Sequence, residues 1–314
     1  MPPLVEDPKR IAQILAEAVE NAKACNDGNP ADYIPELATP DVQKTSAAVS
    51  PVGGPCILAG DAETHRFSLQ SVAKLILLAG LLEERGSDVI FSNVGSEPSG
   101  EGFASLARLD TLGSRPANPL INAGAIALCG LLKGPLEERL AFVETWAERL
   151  CGARLHVNQR VLASERRTGD RNRAIAYLLK STGILQNSVD ETLETYFTLC
   201  SLEASVREAA HLASVLASSG VDSKGNRILS EDTATTVVAL MATCGMYDES
   251  GTFLRTTGLP AKSGVSGIIV AVAVGHAGVA VASPRINQRG GSVRGHLILQ
   301  ELGQKLGWHF ARRL

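Results

Sequence analysis

Residues 267–282 read Gly-Ile-Ile-Val-Ala-Val-Ala-Val-Gly-His-Ala-Gly-Val-Ala-Val-Ala, and no other stretch restricts the fold as strongly. Such a run has to leave water. A membrane span needs about 20 consecutive apolar residues, and this one is broken by Gly275, His276 and Gly278. β-Branched residues on both sides of a Gly-His-Ala-Gly tetrad fit two buried strands joined by a turn instead. A second strand pair is expected far upstream, where Ser46–Val52 and Cys56–Gly60 flank Gly53-Gly54.

Between these pairs the signals are helical. Asp7-Pro8 starts an amphipathic helix running to about Ala24. Asp170 opens a helix that closes near Gly183, and Ser188 with Glu191 has the form of a capping box. Ser230 caps a helix ending at Gly245, and helix returns from Ser292. Strands at both ends of the chain around a helical middle imply one sheet with partners distant in sequence. The expectation is an α+β protein forming one unit over 1–314. Its sheet lobe takes about 1–70 and 245–314, its all-helical lobe about 71–244, and its active site lies where they meet.

Composition removes several function classes. With 314 residues and 45% apolar content the chain can bury a large core. Its 30 basic and 33 acidic residues give a charge of −3, so no nucleic-acid partner is expected. Six scattered cysteines without a C-x-x-C pair read as reduced thiols. The N-terminus lacks the basic and apolar regions of a secretory signal. The reading is therefore a cytoplasmic protein with no membrane partner. The six histidines show no metal-ligand spacing, and neither G-x-G-x-x-G after a strand nor G-x₄-G-K-[ST] occurs, so neither metal nor cofactor is expected.

Two short motifs carry chemistry. Ser71-Val72-Ala73-Lys74 precedes the apolar run Leu75–Leu78. A helix starting at Ser71 would place hydroxyl and ammonium on one face. Its N-terminus would lower the lysine pKa and supply N–H groups to an oxyanion. A neutral lysine could then take the serine proton. Alone the motif is weak evidence and more often describes a solvated lysine one turn from a capping serine. Lys262-Ser263-Gly264, just before the apolar strand pair, adds the second element of serine acyl-transfer enzymes of the penicillin-recognising type. The N–H of Val265 could join that of Ser71 in an oxyanion hole. Tyr247, just past Gly245, could move a proton to a leaving amine.

Two further segments are less specific. Asn118-Pro119-Leu120-Ile121-Asn122 reads as a helix start capped by Asn118, which leaves Asn122 unexplained. Ser164–Arg173 interleaves Glu165 and Asp170 with arginines, as a salt-bridged loop and helix start would.

Together the motifs resemble the serine-dependent glutaminases, amidohydrolases of β-lactamase fold. The resemblance rests on Tyr33–Ala38, Ser68–Lys74, Glu97–Gly100, Asn118–Ala127, Thr168–Ala174, Gly245–Asp248, Gly258–Val265 and Ser292–Gly295, in the family's order. It implies a β-lactamase/transpeptidase-like antiparallel sheet with flanking helices and a helical lobe. It further implies L-glutamine as substrate and a homo-oligomer. Ser71 would be the nucleophile, Lys74 its base and Tyr247 a proton carrier, with Lys262, Ser263 and Gly264 in support. Substrate contacts would come from Ser71, Asn122, Glu165, Asn172, Tyr196, Tyr247 and Val265. Glu165 can pair with an α-ammonium, while amides and a phenol suit an α-carboxylate.

The chain departs from the family at Ser266 and Ile268, where a Gly-rich run is usual, and at Gly291, where Asn is usual. Two other readings use the same scaffold: another penicillin-recognising hydrolase, or a non-catalytic amino-acid-binding protein. Lack of an S-D-N or Y-x-N element between the two motifs weighs against the first, and the presence of both Ser71 and Lys74 against the second.

Overall fold

Residues 267–282 fold as the expected pair, in a computed structural model that describes residues 7–32, 34–38, 41–100 and 115–312. The strands are β1 Ser46–Pro51, β2 Ile57–Gly60, β3 Phe67–Ser68, β4 His156–Val157, β5 Leu202–Ala204, β6 Ala261–Gly264, β7 Ile268–Ala273 and β8 Ala277–Ala282. Five form one antiparallel sheet in the order β2-β1-β8-β7-β6. The chain-distant partners β1 and β8 meet at its centre, with Ser46 opposite Ala282 and Pro51 opposite Ala277.

The near-continuous apolar run follows from burial of both sheet faces. Alternate residues Ile269, Ala271, Val279 and Val281 join one core with Ile11, Leu15, Val19, Ile298 and Leu302 of the N- and C-terminal helices, Pro8–Lys23 and Val293–Lys305. Their neighbours Ile268, Val270, Val272 and Ala280 join the other core, beneath the helix Val206–Ala217 and the helical middle. Gly278 is required by that helix. A Cβ there would lie 2.0 Å from the Ser214 nitrogen and 2.4 Å from the Ala210 oxygen.

Local signals hold at most helix ends. Asp7 caps the first helix by accepting from the Lys9 N–H at 3.0 Å, and Ser230 caps Glu231–Cys244. Ser188 accepts from the Glu191 N–H, but the Glu191 carboxylate pairs with Arg139 rather than reaching back. The reciprocal capping box belongs to Ser205 and Glu208. Asn118 caps no helix; it accepts from the Leu120 N–H and donates to the Glu97 carbonyl, while helix begins at Asn122. Ser164–Arg173 is not a loop. It spans two helices, Gln159–Thr168 and Asp170–Ser181, broken at Gly169, with Arg166 paired to Glu194 and Arg173 to Asp170. A three-stranded sheet, β3-β5-β4, crosses the helical middle. Its strands are too short to show alternation in sequence.

Arg294 ties the chain ends together without a carboxylate partner among the described residues. The buried guanidinium donates to the carbonyls of Cys25 (2.8 Å), Gln43 (3.1 Å) and Lys23 (3.2 Å) and to Thr45 Oγ1 (2.9 Å). Truncation would remove the donor from several part-buried carbonyls and from buried Thr45 Oγ1 at once. Arg294→Ala is expected to lower unfolding free energy by about 3 kcal/mol in urea titration. A change below about 1 kcal/mol would mean that water replaces those bonds without loss.

Candidate active site

Ser71 lies on a 3₁₀ turn, Gln70–Ala73, that leads into the helix Lys74–Arg85, rather than on the first turn of the α-helix itself. Gln70 has φ 48°, a left-handed conformation costing roughly 1–2 kcal/mol for a residue with a Cβ. Wholly buried Leu69, Val72 and Ala73 and a 2.7 Å bond from the Leu69 N–H to the Leu202 carbonyl hold the turn.

The Lys262-Ser263-Gly264 segment is β6, the edge of the large sheet, and it runs beside this turn. A Cβ on Gly264 would sit 2.7 Å from the Leu69 oxygen and 3.4 Å from Gln70 Cβ. Lys262 is paired with Val270, so it faces the helical middle. Ser263 is paired with Ile269 and takes the opposite face, away from Ser71. Ser266 Oγ donates to the Ser68 carbonyl at 2.7 Å, a bond between the residues flanking the two motifs. Ile268 is core.

Tyr247 arrives from a third segment. Gly245 packs so tightly on β6 that a Cβ would lie 1.8 Å from the Ala261 oxygen. The chain then turns through Tyr247 at φ 56°. Lys262 Nζ stands 4.1 Å from the centroid of the phenol ring. Burial pushes the phenol above its ordinary pKa, against the effect of the Ser71 side chain beside it. Burial, reinforced by Lys74, holds Lys262 well below the usual lysine range.

Lys74 closes the ring of polar groups. Its Nζ donates to Asn122 Oδ1 at 2.7 Å, and Asn122 Nδ2 donates to Asn172 Oδ1 at 2.9 Å. The ammonium also lies 5.9 Å from the Tyr196 ring centroid. Burial lowers Lys74 to about 8, opposed in part by Glu165. Burial likewise raises Glu165 to about 7, while a hydrogen bond from Gln70 and the charge of Lys74 favour its ionised form. A serine hydroxyl, two desolvated amines, a phenol and a carboxylate therefore converge from segments far apart in sequence.

The family model for glutaminases matches residues 28–310. The chain belongs to the glutaminase family. It is 49% identical over 300 residues to the glutaminase of Legionella pneumophila strain Corby, covering 95% of this chain and 97% of that one. A solved structure of the probable glutaminase ybaS superposes with TM-score 0.95 at 34% identity, covering 98% of this chain and all of that one. The glutamate form of Mglu superposes with TM-score 0.93 at 35% identity, covering 99% of this chain and 71% of that chain. The fold is the β-lactamase-like α+β type, and the activity is that of an amidohydrolase acting on glutamine.

In this glutaminase Gln70, which the motifs do not single out, also stands among these groups: it joins the Ser71 turn to Glu165 and donates to Ser68 Oγ at 3.4 Å. No periodicity marks a lone Gln before an apolar run; its left-handed backbone does. Tyr33, in the first matching segment, lies outside the described residues. Among the described residues no group of three or more His, Cys, Asp or Glu side chains is placed to hold a metal ion, and no helix is long and apolar enough to cross a membrane.

Proposed function

We propose that this glutaminase converts L-glutamine to L-glutamate and ammonia through an acyl-enzyme on Ser71. The observation that carries the reading is the meeting of Ser71 with Tyr247 beside two desolvated lysines, Lys74 and Lys262. Neutral Lys74 takes the Ser71 proton as Oγ attacks the side-chain amide carbon. The oxyanion accepts from the Ser71 and Val265 N–H groups. The proton on Lys74 passes through the Tyr247 phenol to the amide nitrogen, and ammonia leaves. Water then attacks the ester, giving its proton back through Lys74 to Ser71 Oγ and releasing glutamate. Lys262, with Nζ 4.1 Å from the ring centroid, packs on the phenol and helps hold it in place. Gly264 supports by letting β6 approach the turn; Ser263, on the far face, contributes to packing.

Glu165 binds the α-ammonium, while Asn122, Asn172 and Tyr196 supply polar contacts to the rest of the zwitterion. Glu165→Gln is expected to raise KM for glutamine about 10- to 100-fold with little change in kcat, because a charge-assisted bond is worth about 1.5–3 kcal/mol. An unchanged KM would remove the ammonium from this carboxylate.

The deciding assay is coupled detection of ammonia and glutamate, with asparagine and a chromogenic β-lactam as competing substrates. Turnover of glutamine supports the reading, and turnover of the β-lactam alone overturns it. The same reading takes residues 1–314 as one unit sharing this site. It makes the protein a homo-oligomer, tested by light scattering, and a cytoplasmic one, supported by six unpaired cysteines and tested by cell fractionation.

A further inference from the structure

The turn bearing Tyr247 rests on a buried carboxylate that the proposed chemistry does not use. Glu249, 7% exposed, lies two residues beyond Tyr247. Its carboxylate accepts from Asn287 Nδ2 at 3.1 Å and stands 3.5 Å from His296 Nε2 on the C-terminal helix. Burial holds His296 at about 4, so near neutral pH the ring is an uncharged neighbour rather than a counter-charge. Phe253 packs on that ring edge-on, with centroids 5.0 Å apart.

Asn287 organises the loop 287–291. Its Oδ1 accepts from the N–H groups of Arg289 (2.9 Å) and Gly291 (3.1 Å), and its own N–H donates to the Gly291 carbonyl at 2.8 Å. Arg289 adds a 3.2 Å ion pair to Asp248. On its other side the loop passes near the oxyanion segment, since a Cβ added at Gly290 would come to 3.5 Å from Val265 Cγ1. Gly291 leaves space that two neighbouring side chains occupy. A Cβ there would sit 2.6 Å from Glu249 Oε1 and 2.7 Å from His296 Nε2.

We propose that Glu249, through Asn287, is a positioning residue that clamps the loop 287–291 onto the Tyr247 turn and against Val265. The physical need is plain. Tyr247 is one of three non-glycine residues with left-handed backbone among those described, and such a conformation persists only where surrounding contacts over-determine it. The Ser250 hydroxyl supplies two such contacts, accepting from the Met246 N–H and donating to the Tyr247 carbonyl. The clamp supplies the rest from the side of the chain that also borders the oxyanion residue. A shift of about 1 Å in the phenol would cost on the order of 10²-fold in rate. The catalytic part of this inference rests on the proton-carrying role read for Tyr247.

The test combines kinetics with hydrogen exchange on the full chain. Glu249→Ala is expected to lower kcat about 10- to 100-fold with KM within about 3-fold, and to speed amide exchange over 245–250 and 287–291. Glu249→Gln keeps an acceptor for Asn287 and is expected to return kcat to within about 5-fold of the parent. Gly291→Ala should reproduce the Glu249→Ala loss by displacing the carboxylate, and it carries the test if Glu249→Ala fails to fold. In a Tyr247→Phe background, Glu249→Ala should cost less than about 3-fold more. Unchanged exchange in the two alanine variants, or an equal kcat loss in both backgrounds, overturns the clamp. Full activity of Tyr247→Phe alone would instead retire the role of the phenol, with exchange still deciding the clamp.

Discussion

Ser71→Ala is expected to reduce kcat for glutamine by about 10³-fold or more while the protein stays folded. The loss is large because the site acts as a unit. On the proposed mechanism no acyl-enzyme forms without Oγ, and Lys74 and Tyr247 have no proton to move. Folding should survive because Ser71 sits on a turn held by Leu69, Val72 and Ala73, whose burial does not depend on the hydroxyl. Two measurements check it: ammonia release at saturating glutamine, and mass spectrometry of acid-quenched enzyme, where the parent carries a glutamyl ester. A variant retaining more than about a tenth of the parent kcat would place the nucleophile elsewhere.

Lys74→Met should cost nearly as much, about 10³-fold in kcat/KM, and should also change the pH profile. The amine works as a base only when neutral, and burial places Lys74 at about 8. For the parent, kcat/KM should therefore fall about tenfold per pH unit below about 8 and level off above it. Ionisation of Glu165 at about 7 adds a further fall on the acid side, since its protonated form cannot hold an ammonium. In Lys74→Met the Lys74 limb should vanish, while the Glu165 limb remains and moves upward from about 7, because the Lys74 charge that favours its ionised form is gone. Methionine keeps most of the side-chain volume, so fold and substrate pocket are largely preserved. If the limb near 8 persisted in the variant, the base would be Lys262, the other desolvated amine at the site.

Much of this protein is legible from local pattern. The strand pair around Gly275-His276 shows in hydropathy because both its faces are buried, and the Asp7 and Ser230 caps show because capping is settled within three residues. The two acyl-transfer motifs are likewise readable, each being a compact chemical unit. Legibility fails where a partner lies far along the chain. Asn118 has the composition of a cap, yet its side chain bonds Glu97 and Leu120. Glu191 has capping-box spacing, yet Arg139 competes for it. Ser266 breaks the usual glycine pattern, and its reason is the carbonyl of Ser68 nearly two hundred residues upstream. Gly291 reads as a bare substitution until Glu249 and His296 are seen to fill the space of its missing side chain.

Residue order alone was enough for the α+β class and the chain-end strands, and it singled out the groups proposed to react, since periodicity, capping and motif chemistry are local properties. The contacts of those groups were not. That Gln70 and Tyr247 adopt left-handed backbone, that Lys74 meets Asn122 and Asn172, and that Ser263 turns its back on the site came only with the packed chain. Each of these depends on burial and on neighbours brought together by β6 and the Gln70–Ala73 turn, and no local window of sequence contains those neighbours.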